Sequence, residues 1–218
     1  MIVLALDGAL HTFSAAAARD GELLAAVEID GREALERGLE RIGALMSACG
    51  IAPKAIARIA VGVGPGSFTG IRIAVSYAKS LAFGWRVPLV PISSFDILEG
   101  EPRNERALAV VSGRPGIVCA RFRDGKMERR AGGAPRDVLE RLLPHTLSSV
   151  PLFGDAEDVR DVLAERGVHV EPRASTYPPA AAVALLACSR EPAPSSHAVR
   201  PEYGERPAAR LPQSRSLR

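Results

Sequence analysis

Ile59-Ala-Val-Gly-Val-Gly-Pro-Gly-Ser-Phe-Thr-Gly-Ile-Arg72 decides the fold. Ile59, Val61 and Val63 make a short apolar, β-branched run, the mark of a buried strand. Gly64-Pro65-Gly66 breaks it, and Ser67 and Thr69 then stand where caps belong, ahead of a long apolar helix from Ile71 to Phe83. A strand, a glycine turn and a helix start in sequence suit an anion or a close backbone contact, because free N–H groups point outward there. Two readings stay open at this point, a ligand-facing loop and a structural strand–helix turn. No Gly-Lys-Ser/Thr closes the loop, so it is not a P-loop, and it lacks dinucleotide G-x-G-x-x-G spacing. The phosphate-facing candidates are Asp7, Gly64, Gly66, Ser67, Thr69, Gly70 and Arg72.

Outward from this stretch the element order repeats. Ile2–Leu6 reads as a strand, and His11–Ala17 and Leu23–Ile29 as a hairpin about Asp20-Gly21. A helix is expected over 32–48, a strand over 58–63, a helix over about 70–84, a strand over 89–92 and a short helix near 95–98. After the polar linker 99–104, strands are expected at 107–111, 117–122 and 126–130, and a helix at 135–142. A strand at 150–153, a helix at 156–166, a strand at 168–170 and a helix at 179–189 complete the series. Both halves read βββαβαβα. That order predicts a duplicated ribonuclease-H-like α/β fold with lobes at 1–100 and 101–190. The proline- and arginine-rich 191–218 is expected to form an extended arm and a disordered tail.

Composition bounds the function. The 218 residues are 47% apolar, 24% charged and only 5% aromatic, so the core must be built from Ala, Val, Leu and Ile. The net charge is +3, and only Lys54, Lys79 and Lys126 among the basic residues are lysine. No basic run is interleaved with aromatics, so tight RNA binding is not indicated. Cys49, Cys119 and Cys188 are far apart, which suits reduced thiols in a cytoplasm. No apolar run reaches the roughly 20 residues of a membrane span. His11, His145, His169 and His197 form no ligand pair, so no metal site is expected. No catalytic set assembles around Ser67, and Asp7 is the best single carboxylate. In the 32–48 helix, Leu35, Leu39, Ile42, Met46 and Cys49 recur at intervals of four and three, with Leu45 widening the face. Such a stripe covers the chain's own sheet or packs along a second helix.

G-P-G-S-F-T-G-I-R, with Lys79 in the following helix and Val87-Pro88 after it, resembles the TsaB (YeaZ) family of glycoprotease-like relatives of TsaD. The opening M-I-V-L-A-L-D, Pro91-Ile92-Ser93-Ser94 and the late Pro201-Glu202-Tyr203 with Arg206-Pro207 carry the likeness further. The resemblance implies the actin-, Hsp70- and sugar-kinase-like two-lobed fold and a cytoplasmic, non-catalytic subunit for tRNA threonylcarbamoyladenosine formation. Its implied partners are a TsaD-like transferase and a TsaE-like ATPase, with tRNA met indirectly through the complex, self-pairing when alone, and no membrane. Leu35, Leu39, Ile42, Leu45 and Met46 become the implied partner face. The resemblance implies no cofactor held tightly by this chain, and ATP or ADP at the partner joint. In the fold group, phosphates touch the hairpin after the first strand of each lobe, here Asp7-Gly8-Ala9 and Ser112 to Gly116, with Gly154-Asp155-Ala156 a third candidate. The sequence departs from the family at Asp7-Gly8-Ala9, where D-T-S is usual, and at the helix start Gly31-Arg32-Glu33-Ala34. The alternative reading is a small ATPase or kinase using Asp7 and the cleft loops.

Overall fold

The computed structural model describes residues 1–10, 12–31, 33–100 and 105–204. Expectations for His11, for Arg32 at the start of the first helix, for the linker over 101–104 and for the tail beyond 204 lie outside those residues.

The alternating and all-apolar runs form two five-stranded sheets. In the first half, β1 (Ile2–Asp7), β2 (Phe13–Arg19), β3 (Glu22–Ile29), β4 (Ile56–Gly64) and β5 (Leu89–Ser93) lie in the order β3-β2-β1-β4-β5. In the second, β6 (Ala107–Ser112), β7 (Val118–Asp124), β8 (Met127–Gly133), β9 (Ser149–Gly154) and β10 (His169–Arg173) lie in the order β10-β9-β6-β7-β8. The second order, read backwards, is that of the first. Each half has an antiparallel three-strand meander and two added parallel strands. In register, Leu4 of β1 stands beside Ala17 of β2 and Ile59 of β4. This is the duplicated ribonuclease-H-like α/β fold.

The helices are α1 (Ala34–Ala48), α2 (Phe68–Trp85), α3 (Ser94–Glu99), α4 (Pro135–Leu142), α5 (Glu157–Glu165) and α6 (Pro179–Leu186). Small side chains set their distances. Ala15 to Ala18 of β2 are fully buried on both faces, with α1 on one side and α6 on the other. Alanine against alanine lets helix and sheet backbones approach closely, which is how so few aromatics suffice.

The third helices tie the halves together: α6 crosses to the other half, and α3 bridges both. α6 belongs by sequence to the second half, yet it packs on β1 and β2 of the first and shares its core. There the Ser14 hydroxyl accepts from the Ala180 N–H at 3.1 Å, and Arg58 donates to the carbonyls of Ala187 and Arg190 at 3.0 Å each. α3 belongs to the first half and touches β6 and β9. Its Asp96 and Glu99 receive the Arg121 guanidinium of β7 at 2.5 and 2.9 Å, with Arg121 only 2% exposed.

The partner-face stripe on α1 is corrected here. Ile42, Leu45 and Met46 are buried in the chain's own core, and only Leu35 and Leu39 stay out. The inward face is Ala34, Gly38, Ile42, Leu45 and Met46. The cause is Tyr77 of α2. Its ring lies under Gly38, where a Cβ would come within 2.6 Å of it, and its hydroxyl donates to the carbonyls of Leu35 and Ala34. α1 is therefore rotated with its small residues inward, and Leu35 and Leu39 turned away.

Candidate functional site

β1 and β4 are parallel neighbours, so the turns that follow them meet at one end of the first sheet. The first turn is Asp7 to Leu10 and the second is Gly64 to Gly70. Asp7 is fully buried. Its Oδ2 accepts from the N–H groups of Ala9 and Leu10, both at 3.1 Å, a turn closed by its own aspartate. Its Oδ1 finds no partner among the described residues and sits over Gly62, where a Cβ would fall within 1.9 Å of it. Burial pushes the Asp7 carboxyl up to about 7, against the two backbone donors that pull it down.

The two turns close on each other. A Cβ on Gly8 would meet the Gly70 carbonyl at 2.4 Å, and one on Gly70 would meet the Gly8 carbonyl at 1.8 Å. Gly66 lies equally close to the Ala9 carbonyl, which accepts the Ser67 N–H at 2.9 Å. The Ser67 hydroxyl accepts from the Gly70 N–H at 3.2 Å and caps α2, while Thr69 lies within the first turn of the helix and points to solvent. Gly64 is held from the other side, because the Glu202 carbonyl lies where its Cβ would be. The Glu202 N–H donates to the Val63 carbonyl at 2.7 Å, so residues 201–204 run back along the end of β4.

The structure brings Asp7, Gly64, Gly66, Ser67 and Gly70 together but leaves no cradle among them. The glycines admit the chain's own backbone, and Asp7 lies sealed beneath. Of the two readings of the loop, the close-contact turn describes this geometry. The Ser67 and Gly70 N–H groups are bonded within the chain, and Asp7 is fully buried. In the second half the ends of the parallel β6 and β9 also meet, but through a cross-strand bond: the Ser112 N–H donates to Asp155 at 2.7 Å and its hydroxyl to Asp158. A cavity of about 510 Å³ lies elsewhere, between Arg106, Arg123, Arg173 and Tyr177. Among the described residues, no group of three or more His, Cys, Asp or Glu side chains could hold a metal ion.

What faces outward at the seam is Phe68, Arg72 and Tyr203. Phe68 is 56% exposed, and its ring lies 4.8 Å from that of Tyr203. The Arg72 guanidinium stands over Phe68 at 5.2 Å. Gly62, Tyr77 and Phe68 went unmarked in the sequence reading. An isolated glycine inside a β-branched strand was the available signal for Gly62, since such glycines mark close approach.

Fold and site together define a duplicated ribonuclease-H-like α/β protein whose first turn, Asp7 to Leu10, is closed by its own chain. The family described as TsaD, tRNA N6-adenosine threonylcarbamoyltransferase, matches residues 28–187. The chain belongs to that family. It is 34% identical over 122 residues to the tRNA threonylcarbamoyladenosine biosynthesis protein TsaB of Escherichia coli (strain K12), covering 54% of this chain and 53% of that one. To the TsaB protein of Bacillus subtilis (strain 168) it is 31% identical over 105 residues, 48% of this chain and 46% of that one. The chain thus spans about half the length of the curated relatives it matches. A crystal structure of a protein from Pseudomonas aeruginosa, described as similar to peptidase YEAZ, superposes with a TM-score of 0.72 at 24% identity, covering 94% and 99% of the two chains. Among the described residues, no helix is long and apolar enough to cross a membrane.

Proposed function

We propose that this chain is a non-catalytic scaffold subunit for tRNA threonylcarbamoyladenosine formation in the cytoplasm. The reading is carried by its membership in the TsaD family beside relatives named for that biosynthesis. The sealed Asp7 supports the non-catalytic part, because a general acid or base must reach the proton it moves. In this reading a TsaD-like transferase docks on the outer face of α1, at Leu35 and Leu39, which are 67% and 51% exposed. The flanks of that face contribute, since a stable pair needs on the order of 1,600 Å². The same face serves self-pairing when the chain is alone. The scaffold acts by binding the competent shape of its partner better than other shapes. A TsaE-like ATPase joins the assembly, and ATP or ADP is held at the joint rather than by this chain alone.

The test is affinity capture of the tagged chain from its native lysate, followed by mass spectrometry. Recovery of a TsaD-like protein is the expected result. A chain recovered alone that binds and turns over Mg–ATP would replace this reading with the ATPase one.

A further inference from the structure

We propose that Phe68, Arg72 and Tyr203 form a platform on which an unpaired base of an RNA substrate stacks, so that this chain touches RNA directly. The inference rests on the tRNA-modification reading, and it replaces the expectation that tRNA is met only through the complex.

The platform is anchored on both sides. The Gly8–Gly70 seam and the Ser67 cap fix the first turn of α2, so Phe68 is displayed at the start of an 18-residue helix. Tyr203 reaches it from the returning arm, with the ring planes 35° apart. Arg72, one helical turn on, lies against the Phe68 ring and makes no ion pair among the described residues. Phe68 and Tyr203 remain 56% and 36% exposed. Exposed aromatics beside an arginine are the elements by which proteins hold unpaired bases, since every base offers a face to stack.

Arg72 gives the platform a positive charge, which suits an RNA better than an apolar protein segment. The one acidic neighbour in the arm, Glu202, faces Arg130 at 3.9 Å. The sequence directly after the platform carries Arg206, Arg210, Arg215 and Arg218, with Glu205 as its only acidic side chain.

The experiment is fluorescence anisotropy of a labelled RNA stem-loop with the full chain, run across a salt series beside a fully paired RNA of equal length. The stem-loop is expected to bind more tightly than the duplex. Phe68→Ala should weaken stem-loop binding roughly five- to hundredfold, about the worth of one stacked base, and Phe68→Tyr should restore it. Arg72→Gln should lower the slope of log affinity against log salt by about 0.7. Urea unfolding of each variant checks that the fold is kept. Equal binding of stem-loop and duplex, or stem-loop binding unchanged by Phe68→Ala, would overturn the platform. So would a Phe68→Ala chain that keeps RNA but loses a captured protein, which would assign the patch to that protein. The two readings fail separately: RNA binding without a TsaD-like partner defeats the scaffold, and a partner without stacking-dependent RNA binding defeats the platform.

Discussion

Burial without a countercharge leaves Asp7 poised between protonation states. Two backbone donors hold one oxygen, the other has only Gly62 beneath it, and the carboxyl rises from 3.8 to about 7. A carboxyl whose folded value is raised binds its proton more tightly in the native state. Its contribution to stability is therefore complete below about pH 4 and is lost as pH climbs through 7. The loss approaches roughly 4 kcal/mol. Asp7→Asn keeps the shape and an acceptor for Ala9 and Leu10 but cannot ionise. Urea unfolding should show the wild-type chain losing ground to Asp7→Asn between pH 5 and 8, and a parallel decline in both would remove Asp7 as the cause. Gly62→Ala tests the same spot by size. It should cost about 1–3 kcal/mol as overpacking, and much less in an Asp7→Ala background, where the opposing oxygen is gone. A double-mutant cycle with no coupling would mean the carboxylate moves aside freely. The sequence showed Asp7 at a strand end and went no further, because nothing in a linear reading tells whether a strand end opens to a cleft or is capped by a turn from 60 residues on.

Among the elements, α1 shows what spacing can and cannot decide. The a/d-like recurrence located the helix and placed Ile42, Leu45 and Met46 on an apolar face. Which neighbouring residues complete that face depended on Tyr77, more than 30 residues away and unmarked by any periodicity. Its ring under Gly38 turns the helix so that Leu35 and Leu39 face out. Two substitutions on one helix should then behave differently. Leu39→Glu should change unfolding free energy by no more than about 0.5 kcal/mol, as surface changes do, while abolishing self-pairing in sedimentation and capture of a TsaD-like partner. Ile42→Ala should cost about 2–5 kcal/mol and leave association intact in the fraction that folds. If Leu39→Glu proved as destabilising as Ile42→Ala, the outward face of α1 would belong to the fold and not to a partner. Strands and turns were legible for a plainer reason. β-branched runs and glycine turns are local signals, and β4 and α2 each begin two residues before and end one residue after the expected bounds.

For the whole molecule, the duplication was legible because each half repeats βββαβαβα in order, whereas the crossing of α6 to the first sheet was not. Order along the chain does not say which sheet a helix returns to. α6 was read as the last helix of the second half, yet its alanines cover β1 and β2. α3 carries Asp96 and Glu99 across to Arg121 and Arg123 of the second sheet. Arg121 is nearly sealed from water, and removing Asp96 and Glu99 from it within the folded chain would leave a buried charge unpaired, which costs several kcal/mol. The returning arm adds a third tie, with Glu202 on the end of β4 and Gly204 packed against Pro65 and Cys119 at once. Each half therefore lacks part of its own core when alone. A fragment of residues 1–104 should fail to unfold cooperatively in urea and should bind a dye for exposed apolar surface, because without α6 the face of β1 and β2 that it covers is bare. The full chain should unfold in one transition seen alike by far-ultraviolet circular dichroism and Trp85 fluorescence, since Trp85 reports the first half and the dichroism both. Two separated transitions, or a fragment with a sharp midpoint of its own, would show that α6 and the arm only decorate two independent lobes.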